Sequence, residues 1–324
     1  MERRSSELSL IDGLTADLGG AKTSSFLDKV QKAVDFKVLA DGLREGLAPK
    51  QPRGGRPFWP VQVMIKCLML AKWYNLSDPQ LEEQLCDRLS FRRFVGLSLS
   101  DQTPDETTFV RFRQRLRETG HGSTLFDSVL KQLQDKGLVL KEGSLVDATI
   151  ITQSTGGKNK DGDSTRDRSA SFTRKHEKTY HGYKASINAS TDGFITDYRF
   201  DTAKVHDSQH IDELIEHETV AVYADSAYMS KLRSQSLKSE GIFDGIIQRR
   251  VRWQKQLSDE QQIHNKRCSK MRAKVEHPFA WLKHQMGYRR VRYCGLLRNG
   301  LDFGLIAAAY NIKRSLSGLG MCLS

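Results

Sequence analysis

The chain has 324 residues, 38 % of them hydrophobic and 28 % charged, with 51 Lys+Arg against 39 Asp+Glu for a net charge of +12. That apolar content can bury a core and excludes wholesale disorder. No apolar run reaches the about 18–20 residues of a membrane span, and no long apolar segment follows the N-terminal charges as in a secretory signal. Five scattered cysteines (Cys67, Cys86, Cys268, Cys294, Cys322) form no C-x-x-C pair, which argues against a disulfide framework or a structural zinc site and for a reducing cytosol. A charge of this sign and size favours an anionic partner, nucleic acid first, although basic packaging proteins share it.

Residues 1–57 read as a loosely specified arm, ending in the basic, Pro/Gly-rich linker KQPRGGRP. A helical module follows over 58–138. Val61 to Tyr74 carries Ile65, Leu68, Met69 and Trp73 on one stripe, and Pro79 to Phe94 carries Leu81, Leu85 and Leu89. TPDE at 103–106 has the form of a capping box with Thr103 as N-cap. It opens a helix that buries Phe109, Phe112 and Leu116 and displays Arg111, Arg113, Arg115 and Arg117; the first three are candidates to face DNA. Leu125 to Leu133 makes the next helix.

From Gly143 the period changes, and 139–324 reads as a mixed three-layer α/β domain. Ser144 to Ile151 is a strand with Asp147 among apolar neighbours. Tyr180 to Ala189 and Phe194 to Phe200 form a hairpin through Asp192-Gly193. Between the first two strands, 155–178 is polar, with Ala170 and Phe172 its only apolar side chains, and is expected to be mobile until DNA or a second protomer orders it. A short helix from Asp207 to Ile215 precedes the strand Thr219 to Ala224, which ends at Asp225. Then come a helix over Met229 to Lys238, a strand over Gly241 to Ile247, one long helix from Asp259 to Met286, and a last helix over Leu301 to Leu316. From Gly245 to Arg298 fourteen Lys and Arg stand against Asp259, Glu260 and Glu276, a balance suited to lying along phosphates.

Three acids stand out. An unpaired carboxylate inside a strand, Asp147, is costly; Asp225 ends a strand where α/β sheets place ligands; Glu276 lies in a basic helix. Arg272, Glu276 and Lys283, at offsets of four and seven, share one helical stripe, which suits a metal-binding carboxylate between phosphate clamps. Each acid alone has a plainer reading: a hydrogen-bonded structural acid, a helix cap, an i,i+4 ion pair. His206 and His210 have a zinc-compatible spacing without further soft ligands, and read better as a helix start.

The blocks SLVDATII, YHGYKASINASTDGFITDYRFDTAKVHDSQ, VYADSAY and RAKVEHPFAWLK, with TPDETTFVRFRQRL upstream, resemble the bacterial DDE transposases of the insertion-sequence-five type. The resemblance runs from about Phe58 to Leu316. It implies a helical module followed by a ribonuclease-H-like mixed sheet flanked by helices, with Asp147, Asp225 and Glu276 as catalytic and metal-binding triad. It also implies two Mg²⁺ ions (Mn²⁺ substituting), phosphate contacts by Arg272 and Lys283, and DNA-backbone contact by Lys184, for which a plain surface lysine is the alternative reading. Double-stranded DNA, both terminal inverted repeats and target, would be the partner of a homodimer or higher oligomer in the bacterial cytoplasm, at the nucleoid. Ser269 stands where related groups have a tyrosine. Fifty-one positions separate Asp225 from Glu276, leaving no room for a large β-insertion. A catalytically inactive, domesticated DNA-binding protein is the alternative.

Overall fold

The computed structural model describes residues 25–47, 57–140, 142–158, 160–175, 177–215, 219–250 and 253–318. They form two compact units, one of residues up to Lys136 together with those from Gly304 onward, the other Gly137–Phe303.

The first unit is helical: α1 (Phe26–Ala33), α2 (Phe36–Leu47), α3 (Val61–Trp73), α4 (Asp78–Asp87), α5 (Leu89–Val95), α6 (Glu106–Glu118), α7 (Thr124–Asp135) and the C-terminal part of α12 (Leu296–Gly318). The expected arm differs over α1 and α2. Ser25 and Asp28 close a capping box at the start of α1, and Leu27, Val30, Phe36, Leu39 and Leu43 are buried; amphipathic spacing at these positions builds core rather than arm. The linker KQPRGGRP lies almost wholly outside the described residues. The single helix expected over Pro79 to Phe94 is two, joined at an extended Arg88. Buried Arg92 stabilises that joint by donating to the carbonyls of Leu85, Ser98, Leu99 and Asp101. The cap of α6 is Asp105, which accepts from the Thr108 N–H at 2.7 Å; a carboxylate is a stronger acceptor for an orphan helix N–H than the Thr103 hydroxyl. The last helix belongs by its packing to both units, not to the sheet domain alone.

The second unit is built on a six-stranded sheet: β1 (Ser144–Thr152), β2 (Ser171–Lys175), β3 (Lys178–Ser190), β4 (Ile195–Thr202), β5 (Ala221–Ala224) and β6 (Phe243–Asp244). Apart from β2, the order is β4-β3-β1-β5-β6, with β3 antiparallel to β1 and β4, β5 parallel to β1, and β6 parallel to β5. With the helices α8 (Ile211–Leu214), α9 (Lys231–Ser239), α10 (Asp259–Arg272) and α11 (Glu276–His284), it is the mixed sheet with helices that the sequence leads one to expect. β1 is central because Leu145, Val146 and Ile151 are buried. Gly182 in β3 has φ +157°, and a Cβ there would meet the Ile151 carbonyl oxygen at 2.2 Å, so the two strands approach as closely as they do only over glycine.

Two expectations are corrected here. The helix expected from Asp259 to Met286 is broken into α10, a 3₁₀ turn over Ala273–Val275, and α11. Pro278 has no N–H to offer the preceding turn and its ring crowds it, so a continuous α-helix cannot pass through. The 155–178 segment forms β2 and is anchored at Asp167, which accepts from the Tyr183 hydroxyl at 2.5 Å and from the N–H groups of Ser169 and Gly295 at 2.9 and 2.8 Å.

Candidate active site

The parallel pairing of β1 with β5 sets Val146 opposite Ala224. Both strands then deliver an acid at the next position, Asp147 and Asp225. Val146 packs with Val222, Ala224, Ile211, Leu214 and Tyr228 on one face of the sheet. Asp147, one residue on, faces the other side, as does Thr149, and the Thr149 hydroxyl is bonded by the Lys283 ammonium of α11.

Asp147 and Asp225 each commit one carboxylate oxygen to the N–H of the next residue, Ala148 at 2.8 Å and Ser226 at 2.6 Å. Burial pushes the Asp147 carboxyl above its ordinary range and the Asp225 charge adds to this, against the Ala148 N–H and the Arg272 and Lys175 charges. Burial likewise lowers the Lys283 ammonium, and Lys175 and Arg289 lower it further while Asp147 opposes them. The electrostatics therefore join two half-buried acids and a set of bases from β2, α10, α11 and the segment after α11. Two neighbouring carboxylates with oxygens to spare are hard donors of like charge, and such a set fits a divalent cation of the Mg²⁺ type.

Glu276 opens α11, just after the turn Ala273–Val275, which packs against β1. Its side chain is 63 % exposed and pairs with Arg272 at 3.6 Å. The structure thus brings Asp147 and Asp225 together and leaves Glu276 turned to Arg272; among the described residues no three His, Cys, Asp or Glu groups gather closely enough to hold a metal ion.

The remaining candidates sort clearly. Lys184 is not presented outward: its ammonium pairs with Asp207 at 2.5 Å and donates to the Val205 carbonyl at 2.6 Å. Arg113 is buried and forms a two-pronged pair with Asp78 in the first unit, so the helix face seen by solvent carries Arg111 and, partly, Arg115 instead. His206 caps the 3₁₀ turn Asp207–Gln209, and His210 lies 3.4 Å from Asp201; neither forms a zinc set. Sequence reasoning missed Thr149 and Lys175 as neighbours of Asp147, and Arg233. The signal for Thr149 was its i+2 spacing from Asp147; Lys175 and Arg233 had none.

Residues 140–312, more than half of the chain, match the family described as Transposase DDE domain, and residues 19–115 match Transposase domain (DUF772). A crystal structure of a pre-cleavage Mos1 transpososome aligns over 96 % of this chain and 92 % of that chain at 10 % identity, with a TM-score of 0.21, a likeness too slight to argue from.

Proposed function

Because the chain belongs to the DDE transposase family, we propose that it binds the terminal inverted repeats of its insertion sequence, cleaves DNA strands at those ends and joins them to target DNA. The observation that carries this reading is the parallel pairing that sets Asp147, inside β1, beside Asp225, just past the end of β5, with Lys283 and Arg272 beside them.

In this reading Asp147 and Asp225 would hold two Mg²⁺ ions, Mn²⁺ substituting, and Glu276 would complete the carboxylate set on leaving its pair with Arg272. The ions, when bound, supply Lewis acidity for a nucleophilic water or 3′-hydroxyl and for the departing oxygen. Arg272, released by Glu276, and Lys283 neutralise phosphate charge on the DNA strand beside the acids. Arg111 and Arg115 on α6 contact end DNA from the helical unit. Among the described residues no helix is long and apolar enough to cross a membrane; the chain works as a homodimer or higher oligomer on DNA in the bacterial cytoplasm, at the nucleoid.

The test is to incubate the full chain with element-end DNA, a target plasmid and Mg²⁺. Strand breaks at the ends and covalently joined products are expected. Binding without breaks means an inactive, domesticated DNA-binding protein. Breaks without end preference or joining mean a nuclease.

A further inference from the structure

Behind the two acids, on the Val146 side of the sheet, two buried cations, Lys184 and Arg233, pair with the more exposed Asp207 and Asp212 in contacts for which the proposed chemistry has no direct use. Lys184 sits in β3 opposite Ile150 of β1 and Asp201 of β4, its side chain only 11 % exposed. Its ammonium holds Asp207, the first residue of the 3₁₀ turn Asp207–Gln209, and the carbonyl of Val205 just before that turn. Arg233 of α9 grips the other side. It pairs with Asp212 at 2.6 Å and donates to the carbonyl of Ser208 at 3.3 Å and to the carbonyl of Tyr228. Tyr228 ends the 3₁₀ turn Ser226–Tyr228, whose first N–H is capped by the Asp225 carboxylate and whose last returns to the Asp225 carbonyl at 3.0 Å. A continuous chain of charge-assisted contacts therefore runs from β3 through the 207–209 turn and Arg233 to the turn that carries Asp225.

Ion pairs with one partner buried and the other open to solvent contribute little net stability, because desolvation of the cation and screening of the acid offset most of their attraction. Hydrogen bonds from fixed charges do give orientation, and groups one step behind metal-ligating carboxylates set ligand geometry and affinity. Tyr228, 1 % exposed, packs beside Val146 with its hydroxyl within the fields of Asp207, Asp147, Asp225 and Arg272.

We propose that Lys184, Asp207 and Arg233 are positioning residues that hold the Asp225 turn in register with Asp147 for divalent-metal binding, and that Lys184 acts there rather than on the DNA backbone. This rests on the metal-dependent reading of the site given above. Lys184 reaches the acids only through Asp207 and the turn, so its effect is on how well Asp147 and Asp225 converge.

The experiment uses the full chain and measures Mn²⁺ uptake from the resonance of the free ion, end-DNA affinity across a salt series, and thermal stability. Lys184→Met is expected to raise the Mn²⁺ concentration for half-saturation by about 10–100-fold, with DNA affinity and its salt slope unchanged. Lys184→Arg, which can still pair with Asp207, recovers much of the loss. If Lys184→Met does not fold, Lys184→Met/Asp207→Leu removes both charges at once and is expected to fold yet bind Mn²⁺ as weakly. Wild-type Mn²⁺ affinity in the single variant, or in the double variant where the single does not fold, overturns the proposal. So does a loss of DNA affinity with a flatter salt slope, which would make Lys184 a phosphate contact. Wild-type protein that takes up no Mn²⁺ overturns the proposed function and this inference together.

Discussion

The indole N–H of Trp73, at the end of α3, donates to the carbonyl of Ala309 in α12 at 2.9 Å, joining residues 236 positions apart within one helical unit. Ile306, Ala307, Ala308, Ala309, Tyr310, Ile312 and Leu316 are all buried, and Lys313 lies over the Phe26 ring. A fragment ending near Lys136 would thus expose the surface these side chains cover. It is expected to be poorly folded by circular dichroism and to lose preference for terminal repeats. Appending 304–318 through a flexible linker should restore both cooperative melting and a DNA affinity that falls steeply with salt. A folded, repeat-specific 1–136 fragment would contradict this account of the core.

Arg111 and Arg113 lie two positions apart on α6 and should behave differently. Arg113→Ala strands the Asp78 carboxylate in a mostly buried setting and is expected to cost about 3 kcal/mol in unfolding free energy. Arg111 is exposed, so its alanine variant should stay within about 0.5 kcal/mol of wild type while weakening end-DNA binding and reducing the salt slope by about one. Denaturant melts paired with a salt titration separate the two effects.

The acids of the site were legible because strand periodicity and a strand-end position are local signals: Asp147 among Leu145, Val146, Ile150 and Ile151 needs no partner strand to look anomalous. What surrounds them was not legible, because it depends on which strands pair. Lys184 reads as a surface lysine until β3 lies between β1 and β4 and the chain returns at Asp207. Arg113 reads like Arg111 until α4 brings Asp78 to it. The spacing of Arg272, Glu276 and Lys283 assumes an unbroken helix; the Ala273–Val275 turn and Pro278 break it, yet Arg272 and Glu276 still pair across the turn. The helices α1 and α2 were legible after all in the amphipathic spacing of Leu27, Val30, Phe36, Leu39 and Leu43 and in the Ser25/Asp28 capping box, local signals that outweigh the polar composition that made 1–57 read as an arm.

The Asp167 anchor gives a pH signature. Burial raises its pKa, but the Tyr183 hydroxyl and the N–H groups of Gly295 and Ser169 outweigh this and hold it below the ordinary range. An acid with a depressed folded pKa contributes stability above its unfolded pKa and loses it as pH falls through the folded value. Asp167→Asn should therefore destabilise the protein by about 1.5–3 kcal/mol at neutral pH, the worth of hydrogen bonds to a charged group. The gap to wild type should close only as pH drops below the usual carboxylate pKa. The same variant should speed hydrogen exchange in β2 (Ser171–Lys175), which Asp167 precedes by four residues. Equal melts at pH 7, or a gap that widens in acid, would show that Asp167 is not held as a carboxylate.

The last test weighs Glu276 against the two strand acids. Asp147→Asn and Asp225→Asn each remove one charge from a pair that no third carboxylate joins among the described residues, so each should abolish strand cleavage and joining, to below about a thousandth of the wild-type rate on the scale of losing a principal catalytic group. Glu276→Gln should do the same if Glu276 leaves Arg272 to complete the metal set. Its 63 % exposure means that Glu276 itself stabilises little, so the variant should melt within about 0.5 kcal/mol of wild type. End-DNA binding should survive in all three, because they empty the metal site and leave the basic surface intact. Gel assays of end cleavage and strand joining in Mg²⁺, run beside a binding titration, decide the matter. Wild-type cutting by Glu276→Gln would leave the acid pair Asp147 and Asp225 as the whole carboxylate site and keep Glu276 as the partner of Arg272.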